Sequence, residues 1–329
     1  MDINVRRKLE LLAKNREIIG RKYTFDNGLM SIVGSMILMG ADREADLEEL
    51  KTCSDILKKK TGMFSSFRSI SELSVISKMA VSSDPESYIT ELKAVYDKIC
   101  KGRFADNSYM ILAAMSICDQ GRADDADQII AKFNDLMKRM SKLHPILTSS
   151  EDMAFAMLLA LTDKSVDQIL RDIEEAYIYL KKVRHIKAGS GAIMSLSQVL
   201  AITDGDMRIK CDKSVNMFND FAAHGIKYGK ESEFASIGAL IDLDIDNNVF
   251  INEVIEADTM LKNTKGFGSW SLDAKTRLMF AALIVSSVYS PENDSLNGAV
   301  IGNTVATVIA EEIATLMVTM MCCSASTCN

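Results

Sequence analysis

Five oxygen-bearing side chains alternate along one short stretch: Asp242, Asp244, Asp246, Asn248 and, further on, Glu253. They match positions 1, 3, 5, 7 and 12 of a calcium-binding loop, with Val249 at the apolar eighth place. Hard carboxylate and amide oxygens at alternate positions are what Ca²⁺ needs. Two features weigh against the metal. Asn247 stands where the sharp turn wants Gly. The loop would also consume the first turn of a helix that includes Phe250 and Ile251. An acidic turn at a helix start explains the same residues, since carboxylates favour the positive end of the helix dipole. No metal is therefore expected, and calcium at these five residues is the alternative.

A second constellation is "CCSASTCN", where Cys322, Cys323 and Cys328 surround Ser324, Ser326 and Thr327. The cysteine spacing is not that of a zinc site and supplies only three ligands. Cys, Ser and Thr are, however, the residues that modifying enzymes dehydrate or cyclise in ribosomal peptide natural products. All six are candidate modification positions, with a tail-modifying enzyme as the implied partner. The plainer reading is a segment with no packing duty.

A third group could bind. Arg68, His144, His185, Lys187, Lys227, Lys230 and Trp270 fall in or beside loops rich in cations. They could line a basic rim for an acidic partner, with the single Trp as anchor. The histidines recur at spacings of 41 and 39. Equivalent positions on neighbouring helices lie about 10 Å apart, too far to share a metal with bonds of about 2 Å. Cations at helix ends also stabilise the dipole without any partner, and Trp270 could equally be buried between units. No phosphate-binding loop, nucleophile elbow or zinc-protease helix occurs. No catalytic residue and no cofactor is expected, and an enzyme is the less favoured reading.

These residues need elements to hold them. The chain has 329 residues, a net charge of −7 and 48% hydrophobic side chains. That acidity argues against nucleic acid as partner. The N-terminal "MDINVRRKLELLAKN" lacks an apolar signal core. The longest apolar run, residues 305–321, is broken by Glu311 and Glu312, so no membrane span is expected. A cytoplasmic location follows as the expectation. Cys53, Cys100, Cys118 and Cys211 lie singly on helical patterns, as buried reduced thiols do.

Seven loops share one character: a cation or Gly, a large side chain, then small polar residues. Aligning Tyr23, Phe64, Phe104, Ile146, Ile186, Ile226 and Phe267 gives spacings of 41, 40, 42, 40, 40 and 41. After each loop come an apolar run, an acidic turn and an amphipathic stripe such as Val166, Ile169, Leu170, Ile173, Ala176, Tyr177, Leu180 and Val183. The expected fold is all-α: an α-solenoid-like array of about seven helical hairpins with a period of about 40 residues. One domain is expected over residues 1–321, opening with a helix at 5–20, followed by a Cys/Ser/Thr-rich tail at 322–329. The last helix, 297–321, has only Glu311 and Glu312 as charges. It could pair with a partner or with a second copy of the chain, or fold back over the last repeat.

The stretches "HPILTSSEDMAFAMLLAL", "KGFGSWSLDAKTRLMFAALIV" and "TGMFSSFR" resemble a bacterial family catalogued as domain of unknown function 4003. The resemblance runs from the N-terminal helix to about Ser290. It implies a helical protein and brings no activity or site residue with it. The functional expectation is thus a non-enzymatic helical-repeat scaffold that binds a protein or peptide. The alternative is a natural-product precursor whose folded part presents the modifiable tail.

Overall fold

A computed structural model of the chain describes residues 1–22, 28–63, 65–101, 108–149, 152–268 and 272–290. These residues are helical, with no strand among them. No described helix is long and apolar enough to cross a membrane.

Two kinds of helix alternate. The first is buried nearly all round: α2 (Gly28–Gly40), α4 (Glu72–Val81), α6 (Ser108–Asp119), α8 (Met153–Leu161), α10 (Ser190–Ile202) and α13 (Ala274–Tyr289). In α2 residues 29–39 are buried without a break, and in α8 all nine residues are. The second kind buries one stripe: α1 (Ile3–Lys22), α3 (Leu47–Lys60), α5 (Pro85–Cys100), α7 (Ala126–Leu143), α9 (Val166–Ile178), α11 (Met207–Ala223) and α12 (Asn247–Lys262). In α7 the stripe is Ala126, Ile129, Ile130, Phe133, Leu136 and Met140, in steps of three and four. The sixth apolar run departs from expectation: Ser232–Ala239 is a 3-10 helix. A Cβ on its Gly238 would lie 2.6 Å from Val199 Cγ1 of α10, so the segment packs closely there.

The acidic turns serve as caps. Asp46, Asp84, Asp206 and Asp246 each accept two backbone N–H groups at the start of an outer helix. Such a cap stabilises a helix by about 1 kcal/mol. Pro85 follows Asp84 at the first turn of α5, where its missing N–H costs nothing.

The pairing differs from the hairpins drawn from sequence. The tight pairs are α1/α2, α3/α4, α5/α6, α7/α8, α9/α10 and α12/α13, each joined across a basic loop. The acidic turns instead carry the chain sideways to the next pair. Two buried ammonium groups fix one such step. Lys164 Nζ bonds Asp172, Ala201 O and Thr203 O, and Lys210 Nζ bonds Leu200 O and Thr203 O, all within 2.6–2.9 Å. Burial, then the charge of Lys164, pulls the Lys210 pKa down to about 8.

The ends of the array also meet, which an open solenoid would not allow. Each amphipathic helix contacts the next, and α12 returns to α1, which touches α13 as well. At this seam Glu253 accepts the Asp2 N–H at 2.7 and 2.8 Å, and Lys8 Nζ reaches Ser287 Oγ at 2.9 Å. The apolar helices thus form an inner layer and the amphipathic ones an outer ring.

Asn15 is the buried polar link between α1 and the next unit. It is fully buried, donates to Arg43 O at 2.9 Å and accepts from Ala45 N at 2.8 Å. Asn15→Leu removes both bonds and leaves a buried N–H and C=O unpaired. Chemical denaturation should show a loss of about 2–4 kcal/mol, and an unchanged midpoint would refute this role.

Candidate functional site

Outer helices end and inner helices begin at the same end of the ring, where the basic loops lie. The second half of α7 and the first half of α9 border a cleft of about 660 Å³. Its walls carry Lys138, Lys142 and Arg171 against Asp135, Asp167 and Glu174, with Leu143 at the edge. Arg139 bonds Asp167 and lies 3.6 Å from Asp135. Its guanidinium holds the Asp167 carboxyl below the usual range. Lys138, Lys142 and Arg171 take no ion-pair partner among the described residues.

His144 ends α7, its backbone N–H bonded to Met140 O at 2.8 Å. Its Nε2 meets Glu174 of α9, and its ring stands edge-on to Tyr177 with centroids 5.2 Å apart. Lys181 Nζ continues the chain of contacts, donating to Tyr177 OH at 2.7 Å and Ser190 Oγ at 2.9 Å. Histidine therefore ties two outer helices together and shares no site with its counterparts.

Beside these polar contacts lie four exposed large apolar side chains. Ile146 is 95% exposed, and Leu143, Ile178 and Val183 are also exposed. Val183 leaves the buried stripe because α9 ends in a π-turn, Tyr179–Val183, where the spacing is no longer 3.6 residues. Arg184 N–H closes that turn on Tyr179 O at 2.9 Å, and His185 follows with a φ of +50°. The end of α7 thus carries Lys138 and Lys142, without ion-pair partners among the described residues, next to the exposed Leu143 and Ile146.

The other expected binding residues scatter. Arg68 ends a short 3-10 turn, Ser66–Arg68, and its Nε is buried without a partner. Lys187 and Lys227 are exposed. Lys230 Nζ lies 5.3 Å from the Phe218 ring centroid. His224 ends α11, with Nδ1 2.8 Å from Asp220 O. Trp270 and the tail residues Cys322, Cys323, Ser324, Ser326, Thr327 and Cys328 lie outside the described residues.

The calcium constellation does not converge. Asp246 caps α12, Asp242 bonds Lys213 Nζ at 2.6 Å, and Glu253 is taken by the seam with α1. No group of three metal-ligating side chains forms among the described residues. Cys53, Cys118 and Cys211 are buried. Burial pushes the Cys53 thiol up to about 11 and raises the other two as well, so none is poised as a nucleophile.

Sequence reasoning found His144 and its basic surroundings. It missed Glu174, Tyr177 and the exposed Leu143 and Ile178. The one available signal was "HPIL", where an apolar residue follows Pro in a loop instead of lying on a helical stripe.

A family model described as "Protein of unknown function (DUF4003)" matches residues 16–314. No curated protein and no solved structure matches the chain.

Proposed function

Because the chain belongs to the DUF4003 family, whose description assigns no activity, we propose a function from its own surface: a non-enzymatic binding scaffold. Seven two-helix units, closed into a ring, hold a rigid rim of loops, and the end of α7 and α9 is the docking face. The partner is a protein segment that carries carboxylates and apolar side chains together. What supports this most is the exposure of Leu143 and Ile146 at the end of α7, whose last turns carry Lys138 and Lys142. Scattered exposed apolar residues are ordinary, but Leu143 edges a cleft of mixed charge in which three cations have no ion-pair partner among the described residues. Centrally placed apolar anchors would supply affinity, and the lysines would supply orientation and on-rate.

The test uses an array of synthetic peptides with acidic and Leu/Phe positions interleaved, against scrambled basic controls. The full chain should bind a subset of the acidic peptides, and salt should weaken the binding. Ile146→Asp and the pair Lys138→Glu, Lys142→Glu should each weaken it at least tenfold. These surface changes should leave thermal stability within about 0.5 kcal/mol. Equal binding by wild type and both variants would remove the α7–α9 end as the docking face.

A second reading concerns the tail. Its support is composition: six of the last eight residues are Cys, Ser or Thr, and they follow the end of the family match at residue 314. In a precursor role, a partner enzyme would remove water from Ser324, Ser326 or Thr327, and a cysteine thiol would add across the resulting double bond. Intact mass measurement of protein from the producing cells should then show the loss of one water per modified residue. An unmodified mass in those cells would end this reading.

A further inference from the structure

The start of α4 breaks the capping pattern. Asp46, Asp84, Asp206, Asp246 and Asp273 each close a helix start by accepting two backbone N–H groups. Ser71 precedes α4, but its backbone stands at φ −83° and ψ 0°, outside the extended region of a capping residue. Its hydroxyl makes no cap bond. Glu72 N–H goes to Ser69 O at 3.1 Å and Val75 N–H to Ser71 O at 3.0 Å. Between them, the Leu73 and Ser74 N–H groups meet no acceptor among the described residues. Orphan amides belong to every helix start, and water or a side chain normally takes them. Here water has little access: Ser71 and Ser74 are fully buried and Leu73 is 3% exposed.

Buried side-chain donors gather at the same turn. The hydroxyls of Ser71 and Ser74 have no partner, and neither has Arg68 Nε three residues earlier. Phe67 fixes that turn: it is buried and stands edge-on to Tyr96, with centroids 4.8 Å apart. No ion pair reaches Arg68 among the described residues. Glu72 is the one carboxylate between Ser65 and Ser77.

Helix α2 adds a further hydroxyl. A Cβ on its Gly34 would lie 2.9 Å from Ser77 Oγ and 3.1 Å from Leu73 Cγ, so α2 and α4 pack closely there. Both helices run the same way. Ser31 and Ser74, each three residues before that contact, therefore stand level with each other. Ser31 is also buried, and its hydroxyl is also without a partner.

We infer that the adjoining starts of α2 and α4 form a phosphoryl-binding site. Its donors are the Leu73 and Ser74 N–H groups, the Ser31, Ser71 and Ser74 hydroxyls, and Arg68 Nε. Buried donors without acceptors destabilise a fold, and a guanidinium beside a positive helix end adds repulsion. An anion relieves both, as it does at other helix N-termini. These six donors exceed the roughly four lone-pair directions of a carboxylate and suit the oxygens of a phosphate. A serine where other helices carry a capping aspartate keeps the helix end free of negative charge at the cap. Arg68 is half-buried and Ser69 exposed, so the ligand approaches along their turn.

Isothermal titration of the full chain with inorganic phosphate, at constant ionic strength, tests the site. Phosphate should bind and raise the unfolding temperature, as a ligand of the folded state does. Ser71→Ala and Ser74→Ala remove buried hydroxyls that have no partner, so without phosphate both should fold with unchanged or higher stability. Each should bind phosphate about tenfold more weakly, and Arg68→Gln more weakly still. Methyl phosphate is the second probe. Tighter binding than inorganic phosphate makes the ligand the phosphoryl end of an organic molecule, and looser binding makes it the free ion. No binding of either probe by the wild-type chain would overturn the site. So would equal affinity in wild type, Ser71→Ala and Ser74→Ala, which would place the anion elsewhere and leave these donors to water.

Discussion

The inner helices have no face fit for water. In α8, Phe155, Leu158, Leu159 and Leu161 are as buried as the alanines between them. A buried Leu or Phe contributes about 1.5–3 kcal/mol relative to an exposed one. No single helical pair can cover such a surface, so each unit depends on its neighbours. An open array would leave the first and last inner helices half covered. Contact of α1 with α12 and α13 removes that exposure. The amphipathic outer helices then need only one apolar stripe each, and their charges are left for the surface.

The same constraint sorts the loops. Every passage from inner to outer layer occurs at one end, and every return occurs at the other. Asp46, Asp84, Asp206 and Asp246 at the first end are committed to backbone N–H groups. They position helices and are not offered to a ligand. The opposite end gathers outer-helix C-termini, which favour cations. Most of those cations need no explanation beyond the dipole. The end of α7 and α9 differs because apolar side chains are exposed among them.

Much of the architecture was legible in the sequence, for physical reasons. Burial on all sides leaves an apolar run such as "MAFAMLLAL", and burial on one side leaves a 3.6-residue stripe. Both survive without coordinates. In the acidic run of Asp242–Glu253, Asp246 caps α12 as its counterparts cap their own helices. The direction of pairing was not legible. Both loops flanking an inner helix are short, and composition does not say which one closes the tight pair. Closure was hidden for a different reason. It rests on contacts between residues some 250 positions apart, such as Asp2 with Glu253. The site was only half legible. His144 drew notice as a rare residue type, but Tyr177 and Glu174 read as ordinary members of α9 until the fold set them against it.

Closure is the central claim, and solution X-ray scattering measures it directly. A closed ring of this length should have a radius of gyration near that of a compact chain, about 20 Å, with one symmetric peak in its distance distribution. A markedly larger radius with a long tail of distances would mean that α1 and α12 stand apart, and would contradict the account.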